Sequence, residues 1–185
     1  MRDRELLFGV TGSVAAYKAP ELVSRCVQLG ARATVVLSRS ALHFVGPATF
    51  EALTGRPAYV EMFEPREHFL GEHIGLARRA ELYCIAPVTA HTLARLAHGL
   101  ADDLLTCLAL AFSGPILLAP AMNPTMWRKP AVQRNVRQLH ADGYRIIEPE
   151  PGWVSCREEG TGRMAEPDRI VQAIERLLNG GAAGE

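Results

Sequence analysis

Glu5-Leu6-Leu7-Phe8-Gly9-Val10-Thr11-Gly12-Ser13 is the stretch whose reading decides the fold. After Glu5 the next five residues are apolar or Gly, as in a short strand covered on both faces, because a half-exposed strand would alternate with polar side chains. Thr-Gly-Ser then ends the strand and opens an amphipathic stretch over residues 14–29, which stops at Gly30. A strand, a tight turn and a helix form the first half of a βαβ unit, and the same alternation returns along the chain. Further strands are expected over residues 33–38, 82–86, 115–119 and 144–148. Further helices are expected over residues 42–53, 89–97, 101–112 and 168–178, with Asp168 at or near the last N-terminus. No internal repeat or low-complexity linker divides the chain. The expected architecture is therefore α/β, one domain over residues 1–178, a doubly wound parallel sheet with helices on both faces. A flexible tail is expected at 179–185.

Composition agrees with this and narrows the function. The 185 residues are 48% hydrophobic, enough for a sizeable core. Twenty Lys+Arg balance twenty Asp+Glu, which argues against nucleic acid or any partner held mainly by phosphate neutralisation. No apolar run approaches the roughly 20 residues that span a bilayer. The amino end is charged, and the apolar stretch after it is too short for a signal sequence. Cys26, Cys84, Cys107 and Cys156 are widely spaced with no Cys-x-x-Cys, so neither disulfides nor a metal site is expected, and the cytoplasm is the expected compartment.

In Rossmann-like sheets, ligands bind beyond the carboxyl ends of the strands. Here those ends carry Thr11-Gly12-Ser13, Ser38-Arg39-Ser40, Thr89-Ala90-His91-Thr92 and Pro120-Ala121-Met122-Asn123, and a long loop ending near Glu166 follows the fifth. Small hydroxyls, Gly and an amide at successive strand ends point to a ligand pocket. The first turn is neither Gly-x-Gly-x-x-Gly nor a Walker loop. The second strand ends in Ser-Arg-Ser rather than in an acidic residue for a ribose. That favours a terminal phosphate, as in a mononucleotide such as FMN, with an NADP 2′-phosphate as the alternative. The plainer reading is that Ser38 and Ser40 cap the next helix.

Three further features carry chemistry. His73 is one of six histidines, with His43, His68, His91, His98 and His140; it is read either as structural or as a base or cationic anchor. His68 and His73 lack a third clear ligand for a metal. Asn123 sits in Pro120-Ala121-Met122-Asn123-Pro124-Thr125-Met126-Trp127, where it either caps a helix or offers its amide beside an apolar pocket. Cys156 has polar neighbours, with Arg157 and Arg163 nearby, and suits a nucleophile or an acid, whereas the other three cysteines read as packing residues.

Together these segments resemble one family, the homo-oligomeric flavin-containing cysteine decarboxylases. The resemblance is carried by residues 12–18, His73-Ile74-Gly75-Leu76, Pro87-Val88-Thr89-Ala90-His91-Thr92, Asp102-Asp103-Leu104-Leu105-Thr106, the 120–127 segment and Gly162-Arg163-Met164-Ala165-Glu166-Pro167. It runs from about Leu6 to Leu178. It implies bound FMN and a lyase built as a homotrimer, or as a homododecamer of trimers, with active sites between neighbours. By the same resemblance, Gly12, Ser13 and Val14 with Ser38 and Ser40 would hold the FMN phosphate and ribityl chain. Thr89, Ala90, Thr92 and Ala121 would line the flavin. His73 would be the essential histidine, Asn123 would bind the substrate carboxylate and amide, and Cys156 would act in the final reduction. Met122, Met126, Arg163 and Met164 would complete the substrate site.

The substrate so implied is a small molecule of coenzyme A biosynthesis, 4′-phosphopantothenoylcysteine, converted to 4′-phosphopantetheine through a thioaldehyde and an enethiolate. The alternatives are a peptidyl cysteine, flavin prenyl transfer, a non-catalytic flavin-bound regulatory subunit and a flavin-free NADP-linked reductase. The Ser155-to-Met164 loop favours the coenzyme A substrate, and His73 argues against a regulatory subunit. Two residues depart from the family pattern: His91 replaces a usual Asn, and Arg157 replaces the Gly that commonly follows the loop Cys. Many bacterial relatives carry a second, synthetase domain; at 185 residues a stand-alone decarboxylase is expected.

Overall fold

The computed structural model describes residues 1–63 and 71–180; His68 and the tail expected beyond 180 lie outside the described residues. Strand β1 is Glu5–Val10, as its sequence predicts. Leu6, Phe8 and Val10 point to one face of the sheet and Leu7 to the other, so both faces need cover. Strands β2 (Arg32–Leu37), β4 (Leu82–Val88) and β5 (Ile116–Pro120) fall within one or two residues of the expected positions. Two edge strands complete the sheet. β3 (Ala58–Tyr59) was not foreseen, and β6 (Arg145–Ile146) is shorter than the expected 144–148. Among the described residues the order is β3-β2-β1-β4-β5-β6, parallel throughout. Pro87 has no N–H for the ladder, and the β4–β5 register shifts between Ile85 and Val88.

The helices start where the chain chemistry allows. Residues 14–29 are not one helix. Ser13 caps a 3-10 turn, Val14–Lys18, and α1 (Ala19–Gln28) begins beside Pro20, which is tolerated only in a first turn. Similarly, Ser38 caps a 3-10 turn, Arg39–His43, and α2 (Pro47–Thr54) starts at Pro47 and ends on Gly55 with φ 66°. Two helices escaped the sequence pattern, α3 (Glu72–Arg79) and α7 (Pro130–Ala141), while the short α6 (Pro124–Arg128) is the helix that one reading of Asn123 supplied. Helices α4 (Ala90–Ala97), α5 (Leu104–Ala111) and α8 (Pro167–Leu178) are close to expectation. α5 starts three residues late because the Asp103 side chain accepts from the Thr106 N–H as an N-cap.

Two cores result. α1, α2 and α8 cover the Leu6/Phe8/Val10 face through Leu22, Phe50 and Ile174. α3, α4, α5 and α7 cover the other through Leu76, Leu93, Leu105 and Leu139. There the Tyr83 hydroxyl, fully buried, donates to the Leu105 carbonyl (3.1 Å). Gly9 leaves room for it, since a Cβ at Gly9 would stand 2.9 Å from that oxygen. None of the helices in the described residues is long and apolar enough to cross a membrane.

The amino-terminal edge of the sheet is tied by charge. Arg56 donates to both Glu5 oxygens (2.6 and 2.9 Å) and to Thr34 (3.2 Å), and Arg79 also reaches Thr34 (3.1 Å). The Arg56 hydrogen bond, against some desolvation, holds the Glu5 carboxyl below its ordinary value. Its contribution to stability is thus complete above the unfolded carboxylate pKa of about 4.3, and is lost as pH falls through the lower folded value. Arg56→Met should cost on the order of 1–2 kcal/mol in urea unfolding at neutral pH, and the gap from the parent should narrow as pH is taken from neutral to below about 4. A gap that is the same at both ends of that range would assign the loss to packing instead.

Candidate active site

Because the strands are parallel, the turns after β1, β2, β4 and β5 open on one edge, and there they surround a cleft of about 970 Å³. Its floor is a close crossing. A Cβ on Gly12 would lie 2.4 Å from Ser40 Cβ and 2.9 Å from the Ser40 backbone, so no larger residue fits between the first two turns. Thr11, buried beneath, donates its hydroxyl to the Pro87 carbonyl (2.8 Å) and accepts from the Thr89 N–H (3.0 Å), which fastens the end of β1 to the end of β4.

Hydroxyls ring this floor. Ser13 accepts from the Ala15 N–H (3.2 Å) and Ser38 from the Ala41 N–H (3.3 Å). Both therefore cap turns, yet each keeps its own hydroxyl proton to donate to a ligand oxygen. Ser40 lies inside the second turn and also lines the cleft. Thr89 caps α4 and shares a hydroxyl contact with Thr92 (3.1 Å). Val14, Ala90 and Ala121 give apolar wall, and His91 lines the cleft as well. Arg39 differs from expectation. It is bidentate to Glu61 (2.9 and 2.6 Å), and this bond lowers the Glu61 carboxyl, so its charge at the cleft is matched by a carboxylate rather than held open for a phosphate.

The opposite wall is built from Asn123 and the long loop. Asn123 Oδ1 accepts from the N–H groups of Thr125 (2.7 Å) and Met126 (3.3 Å), capping α6. That fixes the amide and aims Nδ2 at the loop, where it donates to Cys156 Sγ (3.1 Å) and Glu158 Oε2 (2.8 Å). The two readings of Asn123, helix cap and pocket amide, are one geometry. The loop itself is a hairpin, with antiparallel bridges Glu150↔Arg163 and Trp153↔Glu159 and exposed Cys156 near its tip. Arg157 has φ 63°, a left-handed conformation that explains why Gly suits this position. Gly162 seats the hairpin: its carbonyl accepts from the Met122 N–H (2.9 Å), and a Cβ there would stand 2.3 Å from the Met122 carbonyl oxygen. Met122, Met126, Arg163 and Met164 all line the cleft, Met164 from within the core.

Two charged groups that the sequence did not mark give the cleft rigidity. Lys18, 10% exposed, donates to both Glu166 oxygens (3.0 and 2.9 Å), joining the first turn to the root of the hairpin. Arg95 is held by Asp102, Asp103 (2.7 Å) and Thr106 (3.0 Å) beneath α4. Burial would raise the Asp103 carboxyl, but the Arg95 and Thr106 hydrogen bonds hold it below its ordinary value. The other thiols are packing groups in character. Burial pushes Cys26 up to about 12, and Cys84 is raised by the same cause.

His73 is the exception among the sequence-derived site residues. It does not line the cleft; it is half-buried in the first turn of α3, a helix rather than the expected approach to a strand. The far end of that helix reaches the amino edge, with Arg79 3.9 Å from Glu5, and His73 lies in its opposite, first turn.

A family model described as Flavoprotein matches residues 1–179. The coenzyme A biosynthesis bifunctional protein CoaBC of Bacillus subtilis is 42% identical over 176 residues, which are 95% of this chain and 43% of that protein. The chain thus spans less than half the length of the bifunctional relatives. A Streptococcus mutans protein named "Probable phosphopantothenoylcysteine decarboxylase" is 38% identical over 177 residues, 95% of this chain and 99% of its own. Among solved structures, a cysteine-to-serine mutant of PPC decarboxylase complexed with pantothenoylaminoethenethiol superposes with a TM-score of 0.85 at 31% identity, covering 96% of this chain and 100% of that one. The FMN-dependent cysteine decarboxylase SpaF gives 0.84 at 36% identity, covering 97% and 98%.

Gly162→Ala tests how the hairpin is seated. The added Cβ cannot coexist with the Met122 carbonyl, so the hairpin should lift while the sheet and helices stay intact. Trypsin cleavage at Arg157 should accelerate by roughly tenfold with an unchanged far-ultraviolet circular dichroism spectrum. Parental cleavage rates would mean that this contact does not hold the hairpin.

Proposed function

The chain belongs to the flavoprotein family, and we propose that it is an FMN-dependent phosphopantothenoylcysteine decarboxylase of coenzyme A biosynthesis. The observation that carries this reading is the fixed Asn123 amide meeting the Cys156 thiol across one cleft with the Gly12–Ser40 floor. The substrate choice is supported by the Streptococcus mutans relative, whose whole length the chain matches, and by the neighbour holding pantothenoylaminoethenethiol.

The residues fit FMN. The close crossing of the first two turns at Gly12 gathers the hydroxyls of Ser13, Ser38 and Ser40 at one end of the cleft, where with Val14 they would hold the phosphate and ribityl chain, and Thr89, Ala90, Thr92 and Ala121 would line the ring. FMN held there would supply reversible two-electron chemistry, so that the substrate's CH₂–SH, taken to the C=S level, could serve as an electron sink for loss of CO₂. The chain's own residues do the rest. Asn123 Nδ2 donates to the substrate carboxylate and holds it in line for departure. Cys156, delivered by the hairpin, gives its thiol proton to the substrate in the closing reduction. Met122, Met126, Met164 and Arg163 enclose the pantothenoyl arm and exclude water. His73 deprotonates the substrate thiol or anchors its carboxylate from a neighbouring copy, since it lies outside its own chain's cleft. A homotrimer, alone or in a dodecamer, would bring the two together.

The purified protein should show flavin absorbance near roughly 370 and 450 nm, and should release CO₂ from phosphopantothenoylcysteine but not from a peptide ending in cysteine. Turnover of the peptide alone would favour a peptidyl-cysteine decarboxylase. Cys156→Ser should still release CO₂ while the enethiol accumulates, and normal completion would remove Cys156 from the mechanism. His73→Asn should keep its flavin and lose decarboxylation. Co-expressing His73→Asn with Cys156→Ser should restore roughly a quarter of the sites, because mixed trimers contain clefts with both native groups. No restoration would place His73 and Cys156 in the same chain's site.

A further inference from the structure

Glu158 is a carboxylate beside the reacting groups that the proposed chemistry leaves unused. The Asn123 amide has a fixed capacity: Oδ1 accepts twice and Nδ2 donates twice. Oδ1 is occupied by the Thr125 and Met126 N–H groups, and both Nδ2 protons go to the hairpin, one to Cys156 Sγ at 3.1 Å and one to Glu158 Oε2 at 2.8 Å. Nothing remains for a ligand. The bond to Glu158 is the stronger of the two, since its acceptor is ionised. An incoming substrate carboxylate is chemically the same acceptor, so the two compete for one proton. Glu158 is exposed and, among the described residues, makes no salt bridge, so it can leave the amide for water without breaking an ion pair.

We propose that Glu158 is a place-holder for the substrate carboxylate, a specificity-determining residue that occupies the Asn123 amide until the substrate displaces it. The proposal rests on the function given above. Its consequence is discrimination between substrate and product. A ligand with a carboxylate replaces the bond it breaks. Once CO₂ has left, the product has no such group, and Glu158 returns to the amide. The hairpin that carries Glu158 also carries Cys156, so the exchange sets the hairpin's position in step with the chemical state of the ligand.

Steady-state kinetics with phosphopantothenoylcysteine, together with equilibrium binding of 4′-phosphopantetheine, test this on the flavin-loaded protein and on Glu158→Ala and Glu158→Gln. Removing the competitor should lower KM for the substrate by about three- to tenfold with kcat preserved, Glu158→Gln lying between Glu158→Ala and the parent. Affinity for the product should stay within about twofold, because the product does not contend for the amide. A raised KM would make Glu158 a substrate contact, and an unchanged KM would make it structural; either overturns the place-holder. A parent that binds flavin but releases no CO₂ from this substrate overturns the functional reading itself, a separate outcome.

Discussion

The contact between Gly12 and Ser40 is the constraint on which the rest depends. β1 and β2 pair in register up to Val10↔Leu37, so their exit turns must pass side by side, and only a residue without a Cβ lets them do so. The hydroxyls of Ser13, Ser38 and Ser40 gather around that crossing. Thr11 extends the same fixation to β4 through the Pro87 carbonyl and the Thr89 N–H. Three turns remote in sequence thereby become one rigid floor. Rigidity is what a bound cofactor requires, since every donor must stand in place before the ligand arrives.

The facing wall obeys a different logic. Asn123 is immobilised by the helix it caps, but the hairpin opposite is fastened at its root rather than along its length. The root carries Lys18 on Glu166 and Arg163 between Glu150 (3.1 Å) and Glu166 (3.3 Å), with Arg169 on Glu150 (2.8 Å). Burial opposes ionisation of Glu150, but the hydrogen bonds from Arg169, Glu166 and Arg163 hold its carboxyl below the ordinary value. Nearer the tip, where Val154 is buried, Cys156 and Glu158 both accept from the side chain of one amide, Asn123. A fixed floor and a hinged wall suit a reaction in which the cofactor stays while substrates pass.

The central strands were legible because burial on both faces leaves an uninterrupted apolar run, as in Glu5–Val10. β3 has just two residues, and no periodicity can signal a strand that short. α7 does carry a local signal, since Val132, Val136 and Leu139 recur at helical spacing and pack on the core. At the site, residues placed by their own strand end do line the cleft, among them Gly12, Thr89 and Asn123. What sequence did not disclose was pairing between distant segments. Arg39 reads as a phosphate ligand until Glu61 is seen beside it, and Lys18 and Glu166 carry no local mark of each other. His73 stands in the segment where it was expected, but on a helix and outside its own chain's cleft, which no local pattern marks. Arg157 is the reverse case: the departure from Gly was visible, and its meaning is a backbone angle.

Strand order also has a price in time. β1 is the first element of the chain and stands near the middle of the sheet, where Leu6 pairs with Ala33 on one side and Leu82 on the other. The second partner is synthesised long after the first. Throughout that interval an apolar strand of the nascent chain presents a row of unpaired N–H and C=O groups, the kind of edge that recruits another strand. Protection of that edge during translation, rather than the stability of the finished sheet, is the demand this topology makes on the cell that produces it.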